Sequence, residues 1–282
     1  MNKINQFLIL AMSILLFSCQ KQQDNSQEQT TKEESSKIQS ITTTVKMVHI
    51  PGGTYRPFYT SDSAIVEVEP FEIDERQVTN GEFLSFVKAN PQWRKSKIKS
   101  SIYSDSTYLR DWPSDLELPP NAELDAPVNF ISWFAAKAFA ESVGKRLPTL
   151  DEWEFIAMAD EETPNAREKK SYSDDIIDLY VQKDRQFNKV KQSPPNYWGV
   201  YNMFDLVWEW TDDFNSILTT GDSRAGQYDD KGLFCAAGGA TTASDLLNYA
   251  AFMRFSMRTS IKANYTISNL GFRCAKDAST NK

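Results

Sequence analysis

The stretch APVNFISWFAAKAFAESVGKRLPTLDEWEFIA, residues 126–157, decides the fold because it contains two helix starts that can be read from side-chain chemistry. Ser132 stands directly before WFAAKAFAESV, and Gly144 closes that run, the order expected of a capped helix ending at a residue that tolerates positive φ. Thr149 and Glu152 have capping-box spacing: the hydroxyl accepts from the amide three residues on, and the carboxylate accepts from the cap amide. Trp153, Ile156 and Ala157 follow on one helical face. Upstream, Thr79 and Glu82 repeat the box ahead of Phe83, Phe86 and Val87. Three helices are therefore predicted.

Outward from these helices the pattern changes period. VKMVHIPGGTY (45–55) reads as a short apolar strand meeting a Pro-Gly-Gly turn, and IVEVEPFEID (65–74) alternates as a half-buried second strand. His49, the single histidine of the chain, falls on the first strand, where it reads as a packed or edge residue. Residues 91–127 mix aromatic, basic and proline residues without sustained periodicity. They predict an irregular excursion pinned by Trp93, Tyr103, Tyr108 and Trp112, which either packs the surface or shapes a ligand cleft. Beyond Pro194 come GVYNMFDLVWEWTDDF (199–214), FCAAGGATTASDLLNYAAFMRFSMRTS (234–260) and NLGFRCAKD (269–277), with no fixed-period repeat.

The amino terminus has a different character. One lysine precedes the apolar run FLILAMSILLF, and Leu16-Phe17-Ser18-Cys19 places a small residue before a cysteine, an order that resembles the lipobox of bacterial lipoproteins. Residues 1–18 are expected to be a signal peptide, with Cys19 acylated and the protein held at the cell envelope, periplasmic or on the outer-membrane surface. Residues 19–44, rich in Gln, Ser, Thr, Lys and Glu, read as a flexible tether, and 278–282 as a tail. With 31 basic against 38 acidic side chains, a net charge of −7 and no basic cluster, phosphate neutralisation has no basis and nucleic acid is excluded as a partner.

Five blocks now stand in order: VHIPGGTY, FEIDERQVTNGEFLSFV, the 126–157 stretch, NYWGVYNMFDLVWEW and SNLGFRCA. Together they resemble the sulfatase-modifying factor domain of formylglycine-generating enzymes. The resemblance implies an α+β fold in one domain, residues 45–277, related to the C-type lectin fold, with much irregular structure and a surface cleft. It also implies a chemistry that the residues then refuse. Formylglycine-generating enzymes hold Cu(I) with two cysteines, and the matching positions here are Asp245 and Ala250, neither of which supplies the thiolate that Cu(I) favours. A related branch uses a three-histidine iron site, which one histidine cannot make. For the family calcium site the matching residues are Asp205 and Leu206, so Asp205 is the remaining candidate ligand. Trp208 and Trp210 read as core residues alternating with Glu209.

The region around 234–274 further resembles a subgroup encoded beside copper nitrite reductases, which implies an exported accessory protein with a periplasmic protein partner, membrane attachment through the lipid and no expected cofactor. Two other readings stay open. An oxidase with relocated ligands would place Cu(I) between Cys235 and Cys274, with Met253 or Met257 as soft helpers. A lectin-like domain would bind a small molecule or glycan in a cleft near Asp245, Asn248, Tyr249, Arg254, Arg258 and Asn269. Similar domains place the strands bearing Cys235 and Cys274 side by side, so a disulfide, two free thiols and a copper pair are all open.

Overall fold

In the computed structural model, which describes residues 38–43, 45–57, 65–181, 188–215 and 249–278, a small antiparallel sheet carries the first helices. Strands β1 (Met47–Ile50), β4 (Phe71–Asp74) and β7 (Ala275–Asp277) form it in the order β1-β4-β7. Ile50 lies opposite Phe71 and Ile73 opposite Ala275, which puts the apolar residues of all three strands at the core. Strands β2 (Gly53–Tyr55) and β3 (Val66–Val68) form an antiparallel ribbon, and β5 (Trp208–Glu209) pairs in parallel with β6 (Leu270–Gly271). Mixed helices, short strands and long irregular runs make this an α+β fold. Ser40–Lys282 is one compact unit, and among the described residues no helix is long and apolar enough to cross a membrane.

The three helices read from their caps are present. Helix α1 (Asn80–Ala89) and helix α3 (Leu150–Ala157) each start with a complete capping box, Thr79 with Glu82 and Thr149 with Glu152. Helix α2 (Trp133–Ser142) has Ser132 accepting from the Ala135 amide, and Gly144 follows it at φ 67°. Phe83 and Phe86 of α1 meet Phe139 of α2 with ring centroids 6.0 and 5.6 Å apart, and Phe272 closes the cluster at 5.3 Å from Phe139. His49 is exposed and pairs across the sheet with Glu72, as the edge reading required.

Three features depart from the sequence reading. First, IVEVEPFEID is two strands: Glu69-Pro70 interrupts it, and the halves enter different sheets. A proline has no amide to give to a ladder, so the break falls where hydrogen bonding must stop. Second, ordered contacts begin ahead of Val45, since the Ile41 amide donates to Ser142 O and the Thr43 hydroxyl to Glu82. Third, two helices went unforeseen, α4 (Lys170–Val181) and α5 (Tyr249–Ser260), which pack on one another. In α5 the buried face is Ala250, Arg254 and Arg258, so helical periodicity is present but written in arginine instead of apolar residues.

The irregular excursion is pinned as expected. Trp93 meets Tyr103 at 5.8 Å, Tyr103 meets Phe134 at 5.5 Å, the Tyr108 hydroxyl donates to Trp93 O, and Trp112 is buried. Gly271 has a steric reason. A Cβ there would lie 2.6 Å from the Val128 carbonyl oxygen, so β6 approaches its neighbour only without a side chain.

Candidate functional site

In the first turn of helix α5, Ala250 is buried with only a methyl group to offer. One turn and two turns further on, Arg254 and Arg258 converge on one carboxylate. Arg254 donates to Glu154 through Nε (2.9 Å to Oε1) and Nη2 (2.6 Å to Oε2), and Arg258 through Nη1 (2.8 Å to Oε1). The Trp153 ring lies beneath both guanidiniums, 5.5 Å from Arg254 Cζ and 4.7 Å from Arg258 Cζ, and Phe204 lies 5.3 Å from Arg254 Cζ. From α4, the Tyr180 hydroxyl accepts from Arg254 Nη1 at 3.4 Å.

This is a buried cluster of two cations and one anion. Burial works against the Glu154 charge, but Arg254 and Arg258 outweigh it and hold the carboxyl down to about 2. Arg254 is likewise opposed by burial and raised by Glu154 and the nearby tyrosines. Arg258 Nε is buried with no hydrogen-bond partner among the described residues. The two arginines, expected in an open cleft, are therefore interior groups committed to Glu154. Of the other residues assigned to that cleft, Tyr249 is exposed and stacks on Phe252, and Asn269 is half-buried, its carbonyl accepting from the Trp208 amide. Asp245, Asn248 and Cys235 lie outside the described residues.

A second ionic cluster sits behind the first. Glu209, expected to alternate outward between two core tryptophans, is itself fully interior. It accepts from Arg273 Nε at 2.7 Å and Nη2 at 2.8 Å, from Gln77 Nε2 at 2.9 Å and from the Trp153 indole at 2.8 Å. Trp210 is buried, while Trp208 is only half-buried and lies 4.5 Å from the Tyr180 ring. The alternation fails because Arg273 and Gln77 supply an internal partner set for the carboxylate. Trp153 links the clusters, its indole N–H on Glu209 and its face under the arginines.

The relocated copper pair would need Cys235, which lies outside the described residues. Cys274 is a free, buried thiol that burial, with Asp74 beside it, pushes well above the ordinary value. Met253 and Met257 are half-buried on α5, each one residue before an inward arginine. Calcium fares little better. Asp205 Oδ1 is buried without a partner, but Oδ2 accepts from Ser193 and Asn202, and the Asn202 oxygen accepts from the Lys191 amide. Leu206 brings no oxygen. A cation needing six to eight oxygens would require more acceptors than these side chains give.

A separate cleft of about 950 Å³ opens beside the start of α1, bounded by the excursion and by residues 188–192. Its polar lining is dominated by amides: Asn80, Asn121, Asn129, Asn188 and Gln192. The excursion thus does both of the jobs foreseen for it, packing the surface and shaping a cleft. The cleft itself was invisible in the sequence because its amides are scattered over more than a hundred positions.

With this geometry in view, comparison with known proteins identifies the class. The family model for the Sulfatase-modifying factor enzyme 1-like domain matches residues 32–278, so the chain belongs to that family. Among its relatives, the formylglycine-generating enzyme of Streptomyces coelicolor is 28% identical, with 82% of this chain and 89% of that protein covered. The protein called inactive C-alpha-formylglycine-generating enzyme 2 from Bos taurus is 27% identical over 83% and 89% of the two chains. Among solved structures, PvdO from Pseudomonas aeruginosa aligns with a TM-score of 0.44 at 18% identity, covering 82% of this chain and 94% of its own.

Proposed function

We propose that this protein is an exported, lipid-anchored member of the family that does not generate formylglycine and serves instead as an accessory module binding a protein partner in the cell envelope. One observation carries the reading. Ala250, at the position matching a copper-ligating cysteine, is packed into the first turn of α5, and the helix face below it is filled by the Glu154 ion pairs. A methyl group offers copper no donor, and the second matching position is an aspartate. The similarity to a bovine protein whose name marks it inactive is in keeping with this, as is the subgroup likeness that points to a periplasmic metalloenzyme as partner.

The test is an assay of the purified full chain with a cysteine-containing sulfatase peptide, copper and oxygen. No aldehyde is expected, and turnover would overturn the proposal. The anchor has its own test: Cys19→Ser should move the protein out of the membrane fraction, and unchanged fractionation would remove that part.

A further inference from the structure

We infer that the cleft beside α1 binds an uncharged oligosaccharide, a site distinct from α5 and independent of whether the chain retains any oxidase activity. Its volume of about 950 Å³ lies at the upper end of the range of small-molecule sites, which leaves room for more than one sugar ring. Its walls are tied in place. The Asn80 amide donates to Ala126 O at 2.9 Å and the Gly81 amide to Leu124 O at 3.0 Å, fastening the 119–127 segment to the first turn of α1. On the opposite wall the Val190 amide donates to Asp125 O at 2.9 Å.

The amides themselves are oriented. Asn80 Nδ2 donates to Glu123 O at 3.1 Å and Asn129 Nδ2 to Ser268 O at 2.7 Å, which fixes both side chains by their nitrogens. Neither Oδ1 has a donor among the described residues, so the lining holds two acceptors whose placement the fold has already determined. Such acceptors match groups that donate.

Charge then narrows the class. Lys189 pairs with Glu123 at 3.5 Å, leaving Asp111 as the unbalanced charge of the lining, so an anion would meet carboxylate and carbonyl oxygens. Hydroxyl groups, which donate and accept at once, suit an array of carboxamides, each of which also does both. Pro119, half-buried, adds apolar surface against which a sugar C–H face can pack, and the buried Trp112 and Pro127 complete that part of the lining. An extended peptide also bonds to carboxamides and is the competing occupant in the test.

Purified full chain in detergent is screened on immobilised neutral oligosaccharides of glucose, mannose and N-acetylglucosamine, with a sulfated oligosaccharide and an alanine-glycine pentapeptide as comparators. Binding of at least one neutral oligosaccharide is expected, followed by titration calorimetry of the hit. Asn129→Leu should weaken that binding roughly tenfold or more, the worth of one oriented hydrogen bond. Because Asn129 also holds Ser268, Asn121→Trp provides a second variant, filling the cleft from an exposed position; the same loss is expected with unchanged thermal unfolding. No neutral oligosaccharide bound at millimolar concentration, binding of the peptide or sulfated sugar alone, or affinity untouched by Asn121→Trp would each overturn the assignment.

Discussion

The two buried ionic clusters joined by Trp153 are built to different rules. At Glu209 one carboxylate meets one guanidinium, both side chains fully buried, and four hydrogen-bond donors surround the acid. At Glu154 one carboxylate meets two guanidiniums, and among the described residues this leaves a surplus of one positive charge and Arg258 Nε without a partner. The first joins β5 to the segment after β6 and belongs to the frame. The second fastens α5 to α3, with α4 alongside. Equal ingredients thus do unequal work: a closed pair ties two strand segments together, and an open triad fastens a helix.

The sharpest way to break this comparison is to remove each acid. Glu209→Gln leaves Arg273 charged in the interior and should destabilise the protein by about 3–5 kcal/mol, read as a lowered urea midpoint. Adding Arg273→Met should return part of that loss, because the uncompensated charge is then gone; additive losses would mean the pair is not coupled. Glu154→Gln should cost on the order of 3 kcal/mol, with a more local signature. Amide exchange is expected to rise first along 170–181 and 249–260 while β1, β4 and β7 keep their protection. Uniform loss of protection would show that the triad belongs to the frame after all.

Acid sharpens the contrast, since Glu154 and Asp74 shift in opposite directions. Glu154 is held at about 2 when folded, below the ordinary 4.5, so its contribution is fully present above pH 4.5 and is lost as pH falls towards 2. Asp74 lies above its ordinary value because burial outweighs Lys145, so the folded state takes up that proton more readily than the unfolded chain, and acidification through that range favours folding. Net stability should therefore fall below pH 4.5 less steeply in Glu154→Gln than in the parent chain. Parallel curves from pH 6 to pH 2, measured by urea unfolding, would contradict the assignment of Glu154.

What was legible in the sequence follows from the same physics. Capping boxes and apolar stripes are local codes, so α1, α2 and α3 were readable from Thr79, Ser132 and Thr149. Helix α5 was not, because its inward face carries Arg254 and Arg258, whose burial depends on Glu154 a hundred positions away. Glu209 was misread for the same reason: its partners Gln77 and Arg273 lie far off in the chain. That position 250 holds an alanine and no thiol, by contrast, was visible at once, because it is an identity and needs no geometry. The cleft amides Asn80, Asn129 and Asn188 needed the fold to bring them together.

The smallest effect tests whether those local codes act alone. In both capping boxes the glutamate that closes the box is also gripped by an arginine six residues upstream: Arg76 reaches Glu82 at 2.8 and 3.0 Å, and Arg146 reaches Glu152 at 2.7 and 2.6 Å. The arginine holds the carboxylate in place whether or not the threonine hydroxyl is present. Removing that hydroxyl therefore deletes one acceptor at the helix start without freeing the acid. Thr79→Ala and Thr149→Ala should each cost about 1 kcal/mol, and Thr→Ser at either position much less, since serine keeps the acceptor. A loss of several kcal/mol from Thr149→Ala, measured by urea unfolding, would mean that the cap and the Arg146–Glu152 pair, which also reaches Asp277 of β7, stand or fall together.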